Sequence, residues 1–307
     1  MILKNILYLI KDIVSRTRKE IEMKNNTGKT FVAIILSIII LIASQIISEL
    51  LASGLILIKI PEYVCNIVAS ILYIIISYHL LKILCKKYLK CSLKEYSIPK
   101  FNINLKWIII GLILPLSIIG IYLLLPGTFA SSSIDLTKKL NILTTGIFFS
   151  GISAGIVEEM VFRGIIMNSL DKRYGKKVAI LLPSILFGIV HILGMNYDIF
   201  SSLLVIVAGT MVGIMFSLIT LEHKSIWNSA IVHILWNIII LGGVINIGNS
   251  ISEYAIYNYL LDTKSFFITG GEFGIEASII ALIGYIVVIL ITLVMQRRNH
   301  KYESNIL

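Results

Sequence analysis

Long apolar runs separated by short polar connections dominate the chain from residue 31 onward. Eight of these runs, at about 31–50, 64–82, 107–125, 142–165, 178–195, 199–220, 226–245 and 276–295, approach the ~20 apolar residues needed to cross the hydrocarbon core as a helix. Ahead of them, Ile2, Leu3, Ile6, Leu7, Ile10, Ile13 and Val14 recur at helical spacing with charges between them. That pattern predicts an amphipathic helix lying at the membrane surface. It does not fit a cleaved signal peptide, since no small-residue cleavage site follows. The longest connection, roughly 246–275, carries EYAIYNYLL and TGGEFG and is expected to hold at most a short interfacial helix. The expected fold class is all-α: a polytopic membrane protein with about eight transmembrane helices.

Composition agrees with the pattern. Hydrophobic residues make up 57% of the 307 positions and charged residues 14%, against about a quarter charged in soluble domains, and the mean hydropathy is +0.92. A soluble reading is excluded. The net charge of +10 would suit a nucleic-acid partner, but its placement points elsewhere. Of the 27 Lys and Arg residues, 23 fall in 1–30, 82–106, 163–177, 221–225 and 296–307, which are alternate connections. The other four are Lys59, Lys138, Lys139 and Lys264. The positive-inside rule then puts both termini in the cytoplasm, with the basic side against anionic lipid heads and no nucleic acid involved. Cys65, Cys85 and Cys91 form neither a disulfide framework nor a zinc ribbon. No linker or repeat divides the chain. It reads as one membrane domain: an interfacial helix and three accessory spans over 1–130, a core over 131–245, and an outer connection, last span and tail over 246–307.

Ionisable groups at membrane depth are costly and are functional candidates by default. Glu49 and His79 lie near span ends, reach an interface and read as structural. The remainder form a set. Span 4 carries Glu158 and Glu159, with Arg163 one turn after the second; span 5 carries Phe187 and His191; span 7 carries His233 and Asn237. The i, i+4 pairs share helix faces. At ~1.5 Å per residue, Glu158 and His233 lie roughly 10 Å from the cytoplasmic edge, Asn237 about 17 Å and His191 about 20 Å. One slab of membrane contains them all. A glutamate with a histidine can hold a water and take its proton. A second histidine with an asparagine can donate hydrogen bonds to the oxyanion formed at a scissile carbonyl. Arg163 is expected to neutralise Glu159, leaving Glu158 as the base. Gly151, Gly155, Gly164 and Gly188 would let helices approach closely.

Glu158-Glu159-Met-Val-Phe-Arg163, Phe187-Gly-Ile-Val-His191 and His233-Ile-Leu-Trp-Asn237, in that order on successive spans, resemble the motifs of the CPBP intramembrane endopeptidases, also called the Abi or CAAX-protease/bacteriocin-immunity family. The resemblance covers about 140–245. It implies proteolysis inside the membrane, with Glu158 and His191 activating water and His233 and Asn237 stabilising the oxyanion. The family has been described both as metalloproteases and as metal-independent glutamate proteases. The favoured reading uses no cofactor, because the HExxH helix that often marks metalloproteases is absent. The alternative is zinc held by Glu158, His191 and His233. The Ile/Lys/Asn-rich composition suggests a low-GC bacterium and hence a bacterial plasma membrane, where prenylated CAAX substrates are not expected. Bacteriocin self-immunity, peptide maturation and envelope regulation are the roles the resemblance offers, with a peptide or membrane protein as substrate; the oligomeric state stays open. The expected catalytic cavity faces the cytoplasm.

Three competing readings remain. Gly151-Ile-Ser153-Ala-Gly155 matches a GxSxG nucleophile pattern, but that motif needs a strand-to-helix elbow and this one sits in an apolar helix. A proton-coupled transporter would also bury Glu and His, yet no second copy of either motif marks an internal repeat. A non-catalytic immunity or scaffold protein would sequester a peptide without cleaving it.

Overall fold

The computed structural model describes the backbone of residues 2–131 and 134–306 and the side chains of residues 27–130 and 134–298. The chain is mostly helical and multi-pass. In order, it forms α1 (Ile2–Ser53), α2 (Glu62–Leu89), α3 (Leu105–Leu123), β1 (Gly127–Ser131), α4 (Leu136–Tyr174), α5 (Lys176–Val190), α6 (Ile199–His223), α7 (Ile226–Leu241), β2 (Ile245–Gly248), β3 (Tyr257–Leu261), α8 (Phe266–Thr269) and α9 (Ile279–Ile306). The amphipathic face expected over residues 2–14 lies outside the residues whose side chains are described.

Among the described residues, six helices are long and apolar enough to cross a membrane: Thr27–Ile58, Glu62–Leu89, Leu105–Leu123, Leu136–Tyr174, Ile199–His223 and Ile279–Arg298. The other two expected spans are shorter. α5 has 15 residues, about 22 Å of helix against the ~30 Å of a hydrocarbon core. It stops where the chain turns through Gly194 at φ 79°. α7 ends at Leu241 and is also short.

Helix starts follow local chemistry. Side chains of Asn104, Asp135, Asp198 and Ser225 each accept from a backbone N–H of the turn they open, satisfying donors that a helix start leaves unpaired. Lys224, in the left-handed region at φ 50°, and the cap Ser225 make the tight reversal between α6 and α7. The helices alternate in direction, so the bundle has two distinct ends. At the end nearer the termini, Lys106 and the indole of Trp107 both bond Glu222, joining α3 to α6, and Arg173 donates to Thr27. At the opposite end, Asn66 donates to Thr145 and Asn141 to Glu62, joining α2 to α4.

That second end carries a feature the all-helical expectation did not include. β3 pairs antiparallel with β1 and parallel with β2, in the order β1-β3-β2. Its sequence, YNYLL, alternates aromatic and apolar residues that suit a half-buried strand. The expected short helix in this connection is reduced to the four residues of α8.

Two apolar clusters fill the bundle. One joins α2, α4 and α5 through residues such as Tyr73, Val161, Ile165 and Phe187. The other joins α3, α6, α7 and α9 through Trp107, Phe216, Trp236 and Tyr285. Glycine lets the seam between them close. A Cβ on Gly188 of α5 would lie 2.5 Å from the Ile206 carbonyl oxygen of α6, and one on Gly155 of α4 would lie 3.1 Å from the Ile234 nitrogen of α7. Gly188→Ala should therefore lower the melting temperature of the detergent-solubilised protein, by a cost of about 1–3 kcal/mol for overpacking against backbone. Gly120→Ala, whose Cβ meets nothing within 4 Å, should not, and a differential thermal melt of the two variants checks this.

Candidate active site

Glu158 and Glu159 end a short α-helical step, Ala154–Glu159, between two stretches of wider, π-type turns at Thr145–Ser153 and Met160–Ile166. Such turns are rare and concentrate at functional sites. The two carboxylates diverge. Glu159 is fully buried and accepts from Arg163 Nη1 at 2.8 Å, the pairing expected from the sequence. Glu158 is partly exposed and lines a cavity.

Arg163 has almost no access to solvent. Its guanidinium lies 4.5 Å from the ring centre of Phe187 and 5.1 Å from that of Phe216, cation–π contacts that offset part of its desolvation. Its Nη2 also donates to the Gly213 carbonyl at 3.3 Å. Phe187, expected only as a supporting residue, is thus a hub. Its ring also packs on Phe162, His191 and His233.

Both histidines have one nitrogen fixed. His191 Nδ1 stands 2.6 Å from the Phe187 carbonyl. A carbonyl only accepts, so Nδ1 carries the proton and Nε2 is the acceptor in the neutral ring. His233, on α7, stacks on Phe216 at 4.7 Å between ring centres. Its Nδ1 donates to Glu159 Oε1 at 3.2 Å, and its Nε2 is 3.9 Å from Glu158 Oε2. Glu159 therefore orients His233 as well as pairing with Arg163, a link that one-dimensional spacing did not reveal. Asn237 begins a π-type turn and donates one N–H to the Ser150 carbonyl at 2.8 Å.

Glu158, His191, His233 and Asn237 all line one cavity of about 280 Å³. The four candidates drawn from three helices are brought together. Ser153 of the GxSxG pattern is not among the lining residues; its hydroxyl donates back to the Phe149 carbonyl in its own helix. Glu49 and His79 are exposed, bonded to Gln45 and to the Ile75 carbonyl one turn away. Cys65, Cys85 and Cys91 are free thiols. Among the described residues, no three His, Cys, Asp or Glu side chains group so as to hold a metal ion.

The cavity also has a wall that the motifs do not supply. Phe273, Glu276 and Tyr285 line it. Glu276 accepts from the Trp236 indole at 3.0 Å, and its carbonyl accepts from the Tyr285 hydroxyl at 3.0 Å. Removal from bulk water raises the Glu276 carboxyl above the ordinary carboxylate range, opposed by the Trp236 hydrogen bond and by His191 and His233 nearby. Glu276 stands just before the last helix and was not singled out by the sequence, where it falls at the edge of the last apolar run. Phe216 is one apolar residue among many on α6 and carried no signal.

The cavity reaches toward one end of the bundle. Gln45, Leu241 and Phe273, which line it, lie toward the ends of α1 and α7 and in the segment before α9. These are all at the strand-bearing end, opposite the termini. α5 stops at Val190, immediately before His191.

The ion pair makes a prediction of its own. Arg163→Met alone leaves Glu159 buried without its cation, and breaking a buried pair this way costs about 3–5 kcal/mol. Arg163→Met combined with Glu159→Gln should recover most of that loss in a thermal melt, because no unpaired charge remains.

Comparison with known proteins adds a family. The family model described as "Type II CAAX prenyl endopeptidase Rce1-like" matches residues 140–239. No curated protein and no solved structure matches the chain. The matched segment contains Glu158, Glu159, Arg163, Phe187, His191, His233 and Asn237, and leaves out Glu276. Over residues 140–239 the chain is similar to that family model, which is the CPBP, or Abi, family of CAAX-protease-like membrane proteins.

Proposed function

We propose that the protein is an intramembrane endopeptidase in which Glu158 and His191 activate a water molecule. One observation carries the reading: Glu158, His191, His233 and Asn237 line a single cavity within a helical membrane bundle, and each imidazole is fixed through Nδ1. Nε2 of each ring is then the nitrogen left for chemistry.

In this mechanism Glu158 takes a proton from water held against His191 Nε2, and the oxygen adds to the scissile carbonyl. The free N–H of Asn237 and the Nε2–H of a cationic His233, whose Nδ1–H is held by Glu159, stabilise the resulting oxyanion. Glu158 returns its proton to the departing amine, so the step balances as hydrolysis. Glu159 keeps His233 in register, and Arg163 holds Glu159 in place through their ion pair. The water is activated without a metal in this scheme. The substrate is a peptide or membrane protein, and the setting is a bacterial plasma membrane, in self-immunity, peptide maturation or envelope regulation.

Purified protein in detergent should cleave members of a quenched fluorescent peptide library. Glu158→Gln and His191→Ala should each reduce the rate by about 10²–10⁴-fold, and Asn237→Ala by about 10²–10³-fold. A chelator should leave the wild-type rate unchanged. Loss on chelation with recovery on adding zinc would replace the glutamate mechanism by a metal one. Absence of cleavage by folded protein would leave a peptide-sequestering role.

A further inference from the structure

The positions of the cavity and of the basic residues relate the site to the two faces of the membrane. Lys82, Lys86, Lys87, Lys90, Lys94, Lys100 and Lys106 lie at or beside the connection from α2 to α3. Lys172, Arg173, Lys176 and Lys177 lie at the one from α4 to α5, and Lys224 at the one from α6 to α7. Arg297 and Arg298 lie near the end of α9. All of these are at the terminal end. The strand end holds Lys59, Lys138, Lys139 and Lys264. All its connections are shorter than the ~60 residues beyond which charge stops setting orientation. The terminal end is therefore the cytoplasmic one.

The cavity belongs to the other half. Most of its lining on α1, α6, α7 and α9 comes from the parts nearer the strand end, Val212 and Phe216 of α6 reaching past mid-helix, and its wall includes Phe273 and Glu276 from the segment following β3. On the cytoplasmic side it is floored by packed side chains: Val161, Phe162, Ile165 and Ile166 of α4 and Ile226 of α7 are all buried. Arg163 and Glu159 sit in that floor, closed to solvent. Two short helices complete the picture. α5 ends at Val190 and α7 at Leu241, both leaving their missing length on the strand side.

We propose that the cavity receives its substrate from the non-cytoplasmic face. The substrate class is then a peptide bond in an exported segment, or in the outer-leaflet half of a membrane-spanning segment, and not one in a cytoplasmic tail. This rests on the endopeptidase reading for the word substrate, but the direction of access does not.

The test reads access without turnover. In a chain with Cys65, Cys85 and Cys91 each changed to Ala, a single reporter thiol is placed by Phe273→Cys at the cavity or by Lys94→Cys at the terminal end. A membrane-impermeant charged maleimide is applied to intact spheroplasts of a bacterial host, and labelling is compared with that after detergent solubilisation. Phe273→Cys should label to its solubilised level, and Lys94→Cys should label only after solubilisation. Protection of Phe273→Cys in intact spheroplasts overturns the proposal, whatever Lys94→Cys does. Labelling of both overturns it too, because the chain would then insert in both orientations. If the cysteine-free chain does not fold, an epitope inserted after Tyr254, which is 83% exposed at the strand end, gives the same discrimination in the wild-type background: antibody binding to intact spheroplasts supports the proposal and its absence overturns it. Expected labelling with no peptide cleaved would remove the proteolytic reading and leave the orientation standing. Cleavage with Phe273→Cys protected would do the reverse.

Discussion

The contact between Arg163 and Glu159 ties four helices to one point. Arg163 extends from α4 between Phe187 of α5 and Phe216 of α6, and it reaches the Gly213 carbonyl. Glu159 extends the link to His233 of α7. Neither charge has solvent to fall back on, so each depends on the other being in place. A buried pair of this kind is a poor source of net stability, since desolvation consumes much of the Coulombic gain. What it supplies is position. His233 can keep its ring stacked on Phe216 and its Nε2 toward Glu158 only while Glu159 holds Nδ1.

The seam explains how a cavity survives inside an otherwise packed bundle. The two apolar clusters meet along α5, α6 and α7, where backbones approach closely at Gly188, Gly209 and Gly155. The close approach draws Phe187, Phe216 and the imidazoles toward one point. Because α5 and α7 stop short, the same helices that crowd the floor leave room above it. Glycine and helix length act together, one removing volume and the other restoring it.

Much of this was legible in one dimension, and the reasons differ by residue. Glu158, Glu159, Arg163, His191, His233 and Asn237 stood out because lipid makes ionisable and amide groups costly, so their presence alone marked them. The Glu159–Arg163 pair followed from helical spacing. The link from Glu159 to His233 did not, because it joins residues 74 positions apart. Hydropathy found all eight helical runs but overstated two, since residues 191–195 and 242–245 are apolar enough to extend a helix that the backbone has already ended. The strands were missed because Tyr257–Leu261 is too short to declare itself against helix, and its partner Gly127–Ser131 lies across 125 residues of chain. Glu276 was not singled out because nothing in its neighbours indicates that Trp236 will bond it.

The hydrogen bond from Trp236 to Glu276 has a consequence for how such a protein diversifies. Trp236 sits next to Asn237, inside the segment that carries the family resemblance, whereas Glu276 lies beyond it. One side of the chamber thus comes from the family-like segment, and the facing side from a separate stretch of chain. Changes at Phe273, Glu276 or Tyr285 would reshape the chamber from positions that lie off the helices carrying the glutamates and histidines.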